Sequence, residues 1–177
     1  MMPYFYLFSD ASFDPDLQIG VGATLVLDQI AWTEHSQSSQ YSIQTKLIYS
    51  ESISQVELTT ALLVLNQLKS SCLHLHSETH PKAEVTLFTD CMAIKNLPSR
   101  RTRLESCNFQ SAKTKLPLTN AQLYRDFYKI YDELSLNVLW IKGHSPIRKR
   151  TKEQQVFSEV DKTARKHLRE YRESKYR

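Results

Sequence analysis

Apolar residues come first in short runs between polar turns and later at helical spacing. Residues 4–9 (YFYLFS) are an apolar, aromatic-rich run that ends at the polar pair Ser9 and Asp10, as a buried strand does. Residues 13–19 carry Pro15 between two aspartates and predict a turn. Residues 20–27 predict a second strand, Asp28 and Gln29 a tight reversal, and residues 30–35 a third strand. Three strands on short links predict an antiparallel meander. Residues 36–50 are polar and rich in Ser and Gln, with one apolar stretch at 47–49.

The period then changes. Leu58, Ala61, Leu62, Leu65 and Leu68 fall at i, i+3, i+4, i+7 and i+10, one face of a helix that starts near 52–54. Residues 84–89 predict a fourth strand. A short helix to about 97 comes next, which Pro98 is expected to stop. Residues 99–118 form a long basic segment without clear period. Asn120 is placed to cap a helix through about 134. Residues 136–141 predict a fifth strand, 143–154 a loop, and a last helix runs from about 155 past Tyr171. Trp32 and Trp140 fall in predicted strands and read as core. An antiparallel start and then strand–helix–strand units predict an α/β fold: a mixed five-stranded sheet, antiparallel then parallel, flanked by helices.

Length and composition narrow the class. A chain of 177 residues fits a single domain and buries roughly 70% of its unfolded surface. Hydrophobic residues at 41% and charged residues at 24% exclude a disordered, collagen-like or coiled-coil chain. No apolar run approaches a membrane span, so no membrane partner is expected. The N-terminus MMPYFYLFSD lacks the pattern of a secretory leader. Cys72, Cys91 and Cys107 are an odd set without C-x-x-C, which argues against a disulfide framework and for a reducing, cytoplasmic setting. Nothing in the sequence indicates an obligatory protein partner.

The chemistry lies in four carboxylates. Two predicted strands end alike, in Leu7-Phe8-Ser9-Asp10 and Leu87-Phe88-Thr89-Asp90. If the strands are parallel neighbours, a spacing of about 4.8 Å sets the two aspartates side by side. Such a pair repels unless a proton or cation intervenes; each Asp could instead only cap the turn or helix after its strand. Asp161 falls inside the apolar stripe Phe157, Val160, Ala164, Leu168 and Tyr171. A carboxylate there needs a metal or a basic partner, and Lys162, Arg165 and Lys166 point elsewhere on the helix. Glu57 completes a capping-box pattern, Ser54-x-x-Glu57, or projects toward the sheet. Three Asp and one Glu form an all-oxygen set that suits Mg²⁺ or Mn²⁺ rather than Zn²⁺. Acids spread over two strands and two helices suit two-metal phosphodiester hydrolysis.

The ordered set resembles type 1 ribonuclease H. The resemblance is carried by Asp10-Ala11-Ser12, Val56-Glu57-Leu58, Thr89-Asp90, Leu116-Pro117-Leu118-Thr119-Asn120, Trp140-Ile141-Lys142-Gly143-His144, and Asp161 with Ala164-Arg165. It implies a ribonuclease H-like fold and cleavage of the RNA strand of RNA–DNA hybrids to leave 5′-phosphate ends. Two Mg²⁺ ions (or Mn²⁺) would be held by Asp10, Glu57, Asp90 and Asp161. It further implies that His144, in the flexible turn Gly143-His144-Ser145-Pro146, assists proton transfer or product release. Positions that contact the hybrid in the family differ here. Ile53, Ser54 and Gln55 precede the helix Glu, Met92 stands two past the third acid, and Phe157 stands four before the last. A related nuclease acting on branched DNA or double-stranded RNA, or a nucleic-acid-binding module, stays open.

Charge is distributed to match. The net charge is +4, from 23 Lys and Arg against 19 Asp and Glu. Arg100, Arg101, Arg103, Lys113 and Lys115 form one basic cluster; Lys142, Arg148, Lys149, Arg150 and Lys152 form another. With Ser12 and Ser54 beside the acids, these are the predicted nucleic-acid contacts, since Lys and Arg grip phosphates without reading sequence. From Arg165 onward, Lys or Arg alternates with Glu, which predicts an exposed helix with i,i+4 pairs.

Overall fold

The computed structural model describes residues 3–34, 41–72, 83–143 and 146–175; His144 lies outside the described residues. β1 (Tyr4–Asp14) and β2 (Ile19–Asp28) form a long antiparallel hairpin. Asp14 shapes its turn, accepting hydrogen bonds at Oδ1 from the Asp16 and Leu17 amides at 3.0 and 3.2 Å. β3 (Gln44–Tyr49) pairs antiparallel with β2, and β4 (Glu84–Thr89) pairs parallel with β1. β5 (Ser135–Trp140) pairs parallel with β4, giving the order β3-β2-β1-β4-β5. The mixed five-stranded sheet is the one the sequence predicts.

The third strand is elsewhere than expected. Residues 30–34 belong to a short helix, α1 (Gln29–Glu34), because the Asp28 carboxylate accepts from the Ala31 amide at 2.7 Å as an N-cap. Trp32 is therefore not in a strand. Its ring stacks on Tyr6 at 4.5 Å and carries the Lys152 ammonium 4.4 Å from its centroid. β3 takes up the apolar stretch 47–49 instead, so the meander stands with a later third strand.

β1 also outruns its expected end at Ser9. β4 pairs with it only from Tyr4 to Phe8, whereas β2 pairs through Asp14. Beyond Phe8 the sheet parts between β1 and β4.

Pro98 opens a helix rather than closing one. After the single turn α3 (Met92–Lys95), α4 (Leu97–Ser106) has Pro98 in its first turn, where the missing N–H is one that the helix leaves unbonded anyway. Only Leu97 and Leu104 of α4 are buried, so its basic exterior hides the period. Asn120 precedes α5 (Ala121–Glu133) without a side-chain cap bond.

Helices cover both faces. On one, α2 (Ile53–Cys72), α4 and α5 pack Leu58, Leu62, Leu65, Leu104 and Phe127 on Leu7, Val85 and Leu87. On the other, α6 (Lys152–Lys175) packs Val156, Phe157, Val160 and Ala164 on Phe8, Ala23, Leu25 and Phe88. Leu7 and Phe8 divide between the layers by strand alternation. α6 starts a few residues early because Thr151 and Gln154 cap reciprocally, at 3.1 and 3.4 Å. No described helix is long and apolar enough to cross a membrane.

Candidate metal centre and nucleic-acid surface

Phe8 and Phe88 are register partners on parallel strands, so Asp10 and Asp90, each two residues further on, reach the same level. This is where β1 and β4 part. Glu57 comes to it from α2 on one face of the sheet and Asp161 from α6 on the other.

Glycines on β2 set how closely α2 approaches. A Cβ at Gly20 would lie 2.5 Å from Val56 Cγ1, and one at Gly22 would run into the Thr60 side chain. Val56 and Thr60 therefore sit against bare backbone, with Glu57 between them in sequence on α2. The capping box Ser54-x-x-Glu57 does not form. Ser52 Oγ accepts from the Gln55 amide at 3.4 Å instead, and Glu57 turns inward.

Asp10 and Glu57 are 5% and 7% exposed, and with Asp90 each offers an oxygen within 4.8 Å of the other two. Burial first, then the Asp90 and Asp161 charges, push the Asp10 carboxyl up to about 8; the Ala11 N–H, bonded to it, opposes this. Burial also holds Glu57 well above the carboxylate range, with the charges of Asp10 and Asp90 adding to it. Glu57 Oε2 is buried with no hydrogen-bond partner. A buried acceptor with no donor, beside two more acids, is a group awaiting a proton or a cation. Two oxygens on one Mg²⁺ lie about 3–4 Å apart, given bonds of about 2.0–2.1 Å, so these residues fit a divalent ion.

Asp161, on α6, lies near enough for its charge to help raise the Asp10 carboxyl, but it is not among the three acids whose oxygens come within 4.8 Å of one another. Its Oδ2 is ion-paired with Arg165 four residues on. Arg165 thus does face Asp161, contrary to expectation, because an i+4 residue lies on the same side of the helix.

Trp140 is not the core residue its strand position predicts; it is 45% exposed. Strand alternation puts it on the face of Leu136 and Val138, but at the strand end the covering layer gives out. Its indole Nε1 donates to the Asp90 carbonyl at 3.0 Å. Gly143 then passes so close that a Cβ there would lie 2.8 Å from Asp90 Oδ2. Sequence reasoning misses this support of Asp90; the adjacency of Trp140 to Ile141-Lys142-Gly143 is its only sign. Trp140→Phe keeps the ring and loses the donor. The expected result is an unchanged fold by circular dichroism and roughly tenfold weaker Mg²⁺ binding, measured by calorimetric titration. Cys91, next to Asp90, is a half-buried free thiol that burial above all keeps protonated.

The predicted basic contacts divide. Ser54 and Arg100 line one depression of about 440 Å³ with Ser52, Thr119, Asn120 and Tyr124. Arg101 is engaged elsewhere: its guanidinium pairs with Asp132 and with Glu105 at 2.8 Å. Arg103, Lys113, Lys115, Lys142, Arg148 and Lys149 are exposed. Arg150 turns back to Ser158 Oγ at 2.7 Å, and Lys152 bonds the Trp32 carbonyl. Ser12 continues β1 opposite Val21, beside the acids. The tail behaves as expected, with Lys166 and Glu170 paired at 3.8 Å.

No family model matches the chain, and no curated protein matches it. Solved structures do. A foamy viral protease-reverse transcriptase in complex with dsDNA is 12% identical over 92% of this chain and 90% of that chain, with a TM-score of 0.61. LC9-RNase H1, a type 1 RNase H with the type 2 active-site motif, is 11% identical over 93% and 72%, at 0.62. The PFV RNase H domain is 14% identical over 93% and 92%, at 0.58. The chain therefore has a ribonuclease H-like fold, as its sequence motifs imply.

Proposed function

We propose that this chain is a divalent-metal-dependent nuclease that hydrolyses the RNA strand of RNA–DNA hybrids. The observation that carries the reading is the convergence of Asp10, Glu57 and Asp90 at the parting of two parallel strands, with the Asp161 charge close enough to act on Asp10. The fold supports it, since chains of like fold include RNase H domains and a protease-reverse transcriptase in complex with RNA/DNA hybrid.

Asp10, Glu57, Asp90 and Asp161 are the residues that would hold the metal ions. Glu57 would hold the first ion and Asp161 the second. Two Mg²⁺ or Mn²⁺ ions, when bound, activate water and stabilise the leaving oxygen. The protein supplies the rest. Burial raises the cost of leaving the acids unpartnered, Trp140 and Gly143 fix Asp90, and His144 serves the proton or the departing product. Arg100 with Ser54, and the exposed Arg103, Lys113, Lys115, Lys142, Arg148 and Lys149, hold strand phosphates. The free thiols of Cys91 and Cys107 suit a reducing, cytoplasmic setting.

Labelled hybrid incubated with the protein and Mg²⁺ tests the reading. Cleavage of the RNA strand to 5′-phosphate products is expected, with loss of about 10³-fold or more in Asp90→Asn, by analogy with removal of an essential charge. An inactive intact protein, or undiminished cleavage by Asp90→Asn, would refute it.

A second reading has its own observation. Ile53 and Met92, at positions where the family presents polar contacts to the hybrid, are 44% and 49% exposed and apolar. They cannot hydrogen-bond a 2′-hydroxyl. Competition among hybrid, DNA duplex and RNA duplex at one salt concentration separates selective hybrid cleavage from broader duplex cleavage.

A further inference from the structure

We infer a phosphate subsite beside Asp161, in the cleft between the β5–α6 connection and the second and third turns of α6. The cleft has a volume of about 80 Å³. A polar cleft of that size has room for a phosphate group. Lys142, Arg150, Lys162 and Arg165 line it, against one lining carboxylate, Asp161. Three of the four cations are oriented by neighbours. Ser158 Oγ accepts from Arg150 at 2.7 Å, Glu159 holds Lys162 at 2.8 Å, and Asp161 holds Arg165. Fixed guanidinium forks suit phosphate oxygens and have little side-chain entropy left to lose.

The ligand is a phosphodiester of the nucleic-acid backbone, adjacent to the one that the carboxylates address. This assignment of which phosphate it is rests on the nuclease reading; the cleft itself does not. A phosphate anchored there holds the strand in register over Asp161, as a positioning contact rather than a sequence-reading one.

The test is made without metal, so that it stands if the nuclease reading falls. Inorganic phosphate is titrated into the EDTA-treated protein at constant ionic strength, and the side-chain Nε–Hε signals of Arg150 and Arg165 are followed by NMR. A saturable shift is expected, with affinity falling roughly tenfold in Lys142→Gln/Arg150→Gln. Ser158→Ala, which frees Arg150 without removing charge, is expected to weaken binding severalfold and guards against misfolding of the double variant. No saturable shift, or wild-type affinity in both variants, would overturn the subsite. Dinucleotides then identify the source. Tighter binding of one with an internal diester supports the backbone assignment. Binding only of a 5′-terminal monophosphate would overturn it.

Discussion

Asp10→Asn is expected to stabilise the metal-free protein while removing its activity. Asp10 sits near pKa 8 in the fold against an ordinary value of 3.8. Between these values the fold keeps a proton that the unfolded chain releases. Stability from this group is fully present below about 3.8 and is lost as pH rises through about 8. The metal-free wild type should therefore melt higher at pH 5 than at pH 8. Asn at this position is neutral throughout and flattens that slope. At pH 8 in EDTA the gain should be about 2 kcal/mol, roughly 4–8 °C for a chain of this length. Millimolar Mg²⁺ should raise the melting temperature of the wild type and not of the variant, and cleavage should fall by about 10³-fold or more. Calorimetric scans at the two pH values decide it. A variant that melts lower than wild type in EDTA at pH 8 would show that the acids do not repel one another.

Gly22→Val is expected to be the most damaging single change outside the acids. The residue lies in a central strand whose missing side chain is the space that Thr60 occupies. Thr60 is fully buried and ties its hydroxyl to the Val56 carbonyl at 2.7 Å, so it has nowhere to go. Overpacking of this kind costs about 1–3 kcal/mol, or roughly 2–12 °C. The larger effect is on Glu57, which rides on the same helix turn. Metal affinity, read from the Mg²⁺-induced rise in melting temperature, should fall more than stability predicts. A variant that is destabilised but keeps its full metal response would show that Glu57 is held by something other than the α2–β2 contact.

Much of the centre is legible in the chain itself. The matched runs Leu7-Phe8-Ser9-Asp10 and Leu87-Phe88-Thr89-Asp90 announce the two aspartates, because parallel register accompanies the repeat of an apolar run followed by an acid, even though β1 continues to Asp14. Asp161 is visible as a carboxylate inside an apolar stripe. The misplaced elements have local causes. Residues 30–34 have strand-like residues, and only the Asp28 carboxylate, three before Ala31, marks a helix start. Pro98 reads as a stop or a start depending on which side the helix lies, and a helix with two buried residues shows no period to decide it. Glu57 matches a cap pattern, yet the capping oxygen is that of Ser52, two residues before Ser54, which accepts from the Gln55 amide, while Gln55 Oε1 accepts from Ser50 Oγ. The Arg101–Asp132 pair spans 31 positions and leaves no trace in spacing.

Cys91 gives the centre a chemical temperament. Thiols react with alkylating agents and peroxide as the anion, and this one is kept in its neutral form by its surroundings. Although it adjoins Asp90, it is a sluggish nucleophile, so oxidants and maleimides should find Cys91 slow to modify.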